Sequence, residues 1–117
     1  MAATNEEVAR AISGHDFETA RPALGEDVVW TLVGEAPIEG RDAVVALLEA
    51  TAAELANTAS IFRNLRSFVA GDTVIVETEV EYTAEGGLRT VVASCDIYEF
   101  RDGLLDEIRS YNIEVAD

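Results

Sequence analysis

Few residues in this chain combine a reactive type with a setting that could use it, and one carboxylate stands out. Asp96 lies within VVASCDIYEFRDG, Val91 to Gly103, a run of β-branched and aromatic residues that reads as a strand entering a turn. A carboxyl held among apolar side chains loses hydration, so its pKa rises and it can act as a hydrogen-bond donor or general acid near neutral pH. The same carboxyl on the wet side of a sheet can do neither.

Strand alternation sets the two options apart. Val92, Ser94, Asp96, Tyr98 and Phe100 share one face, and Val91, Ala93, Cys95, Ile97 and Glu99 the other. In the preceding strand Val74, Val76, Thr78, Val80 and Tyr82 form a face that must turn inward, leaving Ile75, Glu77, Glu79 and Glu81 outside. The Glu85-Gly86-Gly87 turn decides how these faces meet. A plain two-residue Gly86-Gly87 loop puts Glu77 opposite Asp96, both outward, as an unfavourable like-charge pair. A loop of three or four residues, or a glycine bulge, flips the parity and sets Asp96 opposite Val76 or Thr78 on the inner face. The charge clash weighs for the second register.

An inward Asp96 would be ringed by Trp30, Val76, Val80 and Tyr98, with Ser94 on its own face. On the last strand Ile108, Ser110 and Asn112 would look into the same space, with Arg109 and Tyr111 behind. Tyr98 and Asn112 could orient a ligand carbonyl or hydroxyl, and Trp30 supplies a large apolar wall. His15, the sole histidine, reads as a turn residue because no acid or cysteine stands at ligand spacing from it. Cys95 reads as a small buried hydrophobe. Glu77, Glu79 and Glu81 suit a solvated face repelling in water better than a metal site. No glycine-rich phosphate loop, Ser-His-Asp order or Cys-x-x-Cys pair is present, so neither cofactor nor metal is expected.

The elements that must position these groups follow from pattern. Thr4 with Glu7 forms a capping box, opening a helix over Asn5 to Ser13 that Gly14-His15 ends. Asp16 caps a short second helix in whose path Pro22 lies. VVWTLV reads as a strand and GEAPIEG as a loop or short hairpin arm. Asp42 then caps a long amphipathic helix to about Ala56, with Val44, Val45, Leu47, Leu48, Ala52 and Leu55 as its apolar stripe. Four further strands follow, separated by glycine-containing turns. Helices first and antiparallel strands after make an α+β domain whose curved sheet wraps the long helix and leaves a concave face.

Composition bounds the partners. A chain of 117 residues, 49% of them apolar, is expected to form one domain, residues 1–117. With 23 acids against 8 bases, all Arg, the net charge is −15, which argues against nucleic acid and anionic membranes. The N-terminus carries acids where a signal peptide has bases, and no apolar run approaches spanning length, so a cytoplasmic location is expected.

The order of elements, together with GEAPIEGRDA (Gly34 to Ala43) and FRDGLLDEIRSY (Phe100 to Tyr111), resembles the nuclear transport factor 2-like superfamily, in particular its SnoaL-like and ketosteroid isomerase-like branches. The resemblance spans nearly the whole chain. It implies a cone-shaped barrel around an apolar pocket, a homodimer packed sheet on sheet, and a small polyketide, steroid or terpenoid-like ligand. Relatives of this kind include isomerases, cyclases, dehydratases and epoxide hydrolases, so the fold leaves the reaction open. Asp96 matches the protonated aspartate of the isomerases' oxyanion hole. Their catalytic base position falls on Leu32 and their first-helix tyrosine near Val8. The epoxide hydrolases' aspartate–arginine–aspartate triad meets Arg109 and Ser110 here, with Thr78 and Val80 or, one register away, Glu79 and Glu81 on the bridging strand, so the triad is not present as such. The resemblance thus implies a site of Asp96 and Tyr98, with Trp30, Leu32, Thr78, Val80, Ser94, Ser110 and Asn112 touching ligand, and a non-catalytic binding or dimerisation domain as the alternative.

Overall fold

The computed structural model describes residues 2–115. Helix α1 covers Asn5–Ser13, and the Thr4 capping box forms reciprocally: Glu7 N–H donates to Thr4 Oγ1 at 3.1 Å and Thr4 N–H to Glu7 Oε1 at 2.8 Å. Helix α2, Phe17–Ala20, is cut short as Pro22 predicts, and a 3-10 turn over Arg21–Ala23 leads into strand β1, Leu24–Leu32. The GEAPIEG segment yields a short strand β2, Ile38–Glu39. Helix α3 spans Arg41–Leu55, one residue short of the expected end.

Its cap is Gly40, not Asp42. Gly40 N–H donates to the Val28 carbonyl at 2.8 Å, tying the helix start to β1, and the chain leaves that bond with φ 94°, a left-handed backbone that favours glycine. Asp42 lies in the first turn, where a carboxylate still meets the positive end of the helix.

Strands β3 (Ala59–Ala70), β4 (Thr73–Thr83), β5 (Arg89–Arg101) and β6 (Leu104–Val115) complete a six-stranded sheet in the order β2-β1-β6-β5-β4-β3. Neighbours run antiparallel except β1 with β6. The architecture is α+β with a curved, mostly antiparallel sheet, as expected, but β2 and β3 remain as edges and the barrel does not close.

The sheet also does not wrap the long helix alone. Helix α3 lies on β1 and β2, while α1 lies on β3, β4 and β5, so two helices share the concave face. Only Val44 and Leu48 of the expected α3 stripe are buried, because α3 covers just one end of the sheet; Ala52 is exposed. The core joins Val8 and Ile12 of α1 to Val44 and Leu48 of α3 through Val74, Val76, Tyr98 and Ile108 of the sheet.

The β4–β5 turn takes the inward-facing register. Ala84 N–H donates to the Leu88 carbonyl and Gly87 N–H to the Ala84 carbonyl, each at 2.8 Å, and Gly87 sits at φ 90°. The loop therefore holds three residues and closes on a left-handed glycine, pairing Asp96 with Val76 and Ser94 with Thr78. The same parity corrects the reading of Cys95, which is turned to the outer face and only partly covered. Glu77, Glu79 and Glu81 also face outward, yet they do not simply repel: Arg66, Arg63 and Arg89 respectively pair with them from adjacent strands.

Candidate functional site

Between the two helices and the inner face of the sheet lies a cavity of about 190 Å³. Asp96, Tyr98, Trp30, Leu32, Thr78, Ser94, Ser110 and Asn112 all line it. Val80 does not. Flanked by Phe62 and Val92 in the ladder, it is 2% exposed and stays within the packed part of the sheet.

Asp96 is 9% exposed and takes its partners from two directions. From α1, Ser13 Oγ donates to Asp96 Oδ2 at 2.8 Å. Tyr98 Oη lies 2.7 Å from the same Ser13 oxygen, and since the Ser13 hydrogen is committed to Asp96, the tyrosine donates. From β6, the Ser110 hydroxyl bonds to Asp96 while accepting from Trp30 Nε1 at 2.9 Å. Two short relays, Tyr98 to Ser13 and Trp30 to Ser110, thus converge on one carboxyl. Among the described residues no buried side-chain nitrogen or oxygen lacks a partner.

Burial raises the Asp96 pKa from its ordinary value, and the Ser13 and Ser110 hydroxyls pull against that without cancelling it. Tyr98, buried beside this carboxyl, is pushed well above the ordinary phenol and stays a donor. Ser94 Oγ donates to Asn112 Oδ1 at 2.7 Å and fixes how that amide is presented.

Ser13 and His15 escaped the sequence reading, and Tyr82, read as inward-facing, was not assigned to the site. Ser13 follows Ala9 by four positions and so continues the buried stripe of α1, a periodicity that could have flagged it. His15 does sit in the turn, at φ 71°, but its ring lines the cavity, with Nε2 at 3.2 Å from Tyr82 Oη. Phe62 meets the imidazole edge-on and Tyr82 stacks on it. Burial lowers the His15 pKa and raises that of Tyr82, the latter with help from the charge of Asp96.

The two motifs borrowed from relatives do not assemble. Val8 is buried in the core and is no substitute for a tyrosine, so the first-helix hydroxyl at Asp96 comes from Ser13 instead. Arg109 points to the outer face, where it pairs with Glu99 and Glu107, so it bridges no acids inside.

A helix-covered curved sheet with a polar-tipped cavity on its inner face defines the nuclear transport factor 2-like class. A protein of that description from Cytophaga hutchinsonii, of unknown function, superposes with TM-score 0.82 at 22% identity over 97% of this chain and 99% of its own. An LEH-like epoxide hydrolase from M. tuberculosis superposes with TM-score 0.68 at 26% identity over 94% and 84%. A candidate polyketide cyclase from Xanthomonas campestris gives TM-score 0.70 at 20% identity over 92% of both. No curated protein matches the chain. The SnoaL-like domain family's sequence signature covers residues 5–108, and the chain belongs to that family.

Proposed function

We propose that this protein binds a small, uncharged, largely apolar molecule in the cavity and that the Asp96 carboxyl donates a hydrogen bond to its carbonyl or hydroxyl oxygen. The observation that carries this reading is a buried carboxyl at the cavity wall, held by two hydroxyl relays and shifted toward its neutral form. A neutral carboxylic acid is a strong donor at a site poor in water, where a developing negative charge on a ligand oxygen is stabilised most. Tyr98 acts through Ser13 and positions Asp96; Trp30 and Leu32 give apolar wall, and Thr78, Ser94 and Asn112 offer polar contacts. Isomerisation, cyclisation and epoxide opening all use such a donor, and the epoxide hydrolase and cyclase neighbours accord with that range.

The test is carboxyl-carbon NMR of Asp96 across pH, with thermal shift against cyclic ketones, steroids and terpenoid epoxides. An Asp96 titration above the ordinary range, and a ligand-induced rise in Tm that Asp96→Asn diminishes, are expected. A titration at the ordinary value ends the reading. A second reading, a binding protein without turnover, is favoured by Leu32, an apolar side chain where the isomerases place their base.

The outer face exposes Ile61, Phe68, Tyr111 and Ile113 around the paired glutamates. We propose that two copies pack through it, and sedimentation equilibrium returning only the monomer mass would refute that.

A further inference from the structure

The cavity has an acid; what could accept a proton there? Its titratable lining groups are His15, Tyr82, Asp96 and Tyr98. The tyrosines hold their protons, and with Asp96 taken as the acid on the reading above, the imidazole is the titratable lining group left to accept a proton. It is held as a working base must be. The turn bends the chain at φ 71° to bring the ring to the wall, Phe62 and Tyr82 pack its faces and edge, and Tyr82 Oη engages Nε2.

We propose that His15 is the proton acceptor of this cavity, working opposite the Asp96 carboxyl across a bound carbonyl compound and positioned by Tyr82. The proposal rests on the reading of Asp96 given above. It requires the tautomer in which Nε2–H donates to Tyr82 Oη, leaving the Nδ1 lone pair for substrate. The C–H bond next to the ligand carbonyl breaks, its proton goes to Nδ1, and its electron pair forms an enol or enolate whose oxygen takes a hydrogen bond from Asp96. The imidazolium then returns the proton to the same carbon, or to the far end of a neighbouring double bond, moving that bond. No oxidant or second reactant enters. Burial keeps the imidazole neutral to lower pH than usual, so it is available as a base in neutral solution. Beyond the lining, Asp16, next to His15 in the chain, is engaged with Thr19, and Glu54 lines a second groove that Tyr82 also borders.

Because the chain has a single histidine, nitrogen-labelled histidine gives one imidazole to follow. The probes are 3-cyclohexen-1-one, whose α-proton exchange in D2O and conversion to the conjugated enone are read by NMR and absorbance, and 2-naphthol, a planar enol mimic read by binding. Exchange should fall as pH drops through the His15 titration seen by NMR. His15→Gln should slow it about a hundredfold, the usual scale for general-base catalysis, while 2-naphthol affinity stays within about threefold. Tyr82→Phe should move the His15 titration and the exchange profile together, which a purely structural role would not do. If His15→Gln does not fold, diethyl pyrocarbonate on the wild-type protein should abolish exchange, with recovery in hydroxylamine.

A proton found on Nδ1 of the neutral ring overturns the proposal. So does exchange that survives loss of His15, or wild-type protein that binds 2-naphthol yet exchanges no faster than buffer. Failure of wild-type protein to bind 2-naphthol tells against the cavity reading itself, and this proposal falls with it.

Discussion

Strands β4 and β5 present carboxylates on both of their faces, and the two faces treat them in opposite ways. On the outer face Glu77, Glu79 and Glu81 each meet an arginine from a neighbouring strand, at the surface, where water and salt screen the pairing. On the inner face no cation among the described residues pairs with Asp96. It meets the hydroxyls of Ser13 and Ser110, which can stabilise a carboxylate but cannot neutralise it, and burial prevails. Carboxylates at neighbouring positions are ion-paired in water on one side and buried among hydroxyls on the other, and a single residue of register separates them.

The largest effect should come from removing that one residue. Deleting Gly87 leaves a two-residue loop, so either the hairpin slips and turns Asp96 out with Glu77, or the strands hold and the turn cannot close. Each course exposes or unpairs a core row containing Val74, Val76 and Tyr98. We expect loss of cooperative thermal unfolding by circular dichroism; a variant that melts like wild type with Asp96 still shifted would show that packing, not the turn, sets the register.

Next in size is Ser13→Ala. It withdraws a donor from a buried acceptor and leaves Tyr98 Oη without its partner, a loss of about 1–3 kcal/mol by urea denaturation. Because this hydroxyl holds the Asp96 pKa down, its removal should raise that pKa further. A fall instead would mean that Ser13 favours the protonated carboxyl over the carboxylate.

Asp96→Asn reads the same balance through pH. The folded pKa of Asp96 lies above its unfolded value, so its share of stability is whole below the unfolded pKa, about 3.9, and drains away as pH rises through the folded pKa. The asparagine variant should therefore lack that decline and match or exceed wild type at neutral pH; a tenfold difference in acid constant between the folded and unfolded chain corresponds to about 1.4 kcal/mol. His15 contributes with the other sign. Its folded pKa is depressed, so its share is present above about 6.5 and is lost as pH falls through the folded value, and His15→Gln should flatten that limb.

How much of this was legible beforehand depended on whether a local rule or a long-range one decided it. The capping box, the Pro22 break and the alternation of β4 rest on a few adjacent residues, and the structure follows them. Inward Asp96 was a conditional statement about a three-residue loop, and the condition is met. The α3 cap failed because a tie from Gly40 to Val28, made across the fold, outweighs a nearby aspartate. His15 was read by its neighbours in sequence and found none; its partners Phe62 and Tyr82 lie about fifty and seventy residues away, on strands whose placement no local pattern reveals. The α+β class with its curved sheet was legible, whereas the open edge of the sheet and the division of the concave face between α1 and α3 are matters of packing.

The smallest effect belongs to the outer face, and it tests the comparison most sharply. Glu77→Gln breaks the pairing with Arg66, whose Nε lies 3.2 Å from Glu77 Oε1, yet both side chains are about half exposed. An exposed ion pair of this kind is worth roughly 0–1 kcal/mol and fades with added salt. The change in urea midpoint should therefore be slight in dilute buffer and vanish near 1 M salt, while the pH dependence assigned to Asp96 stays as it was. A larger, salt-insensitive loss would mean that this face is covered in solution, as packing of two copies through Tyr111 and Ile113 would do. The two faces would then differ in partner and no longer in exposure to water.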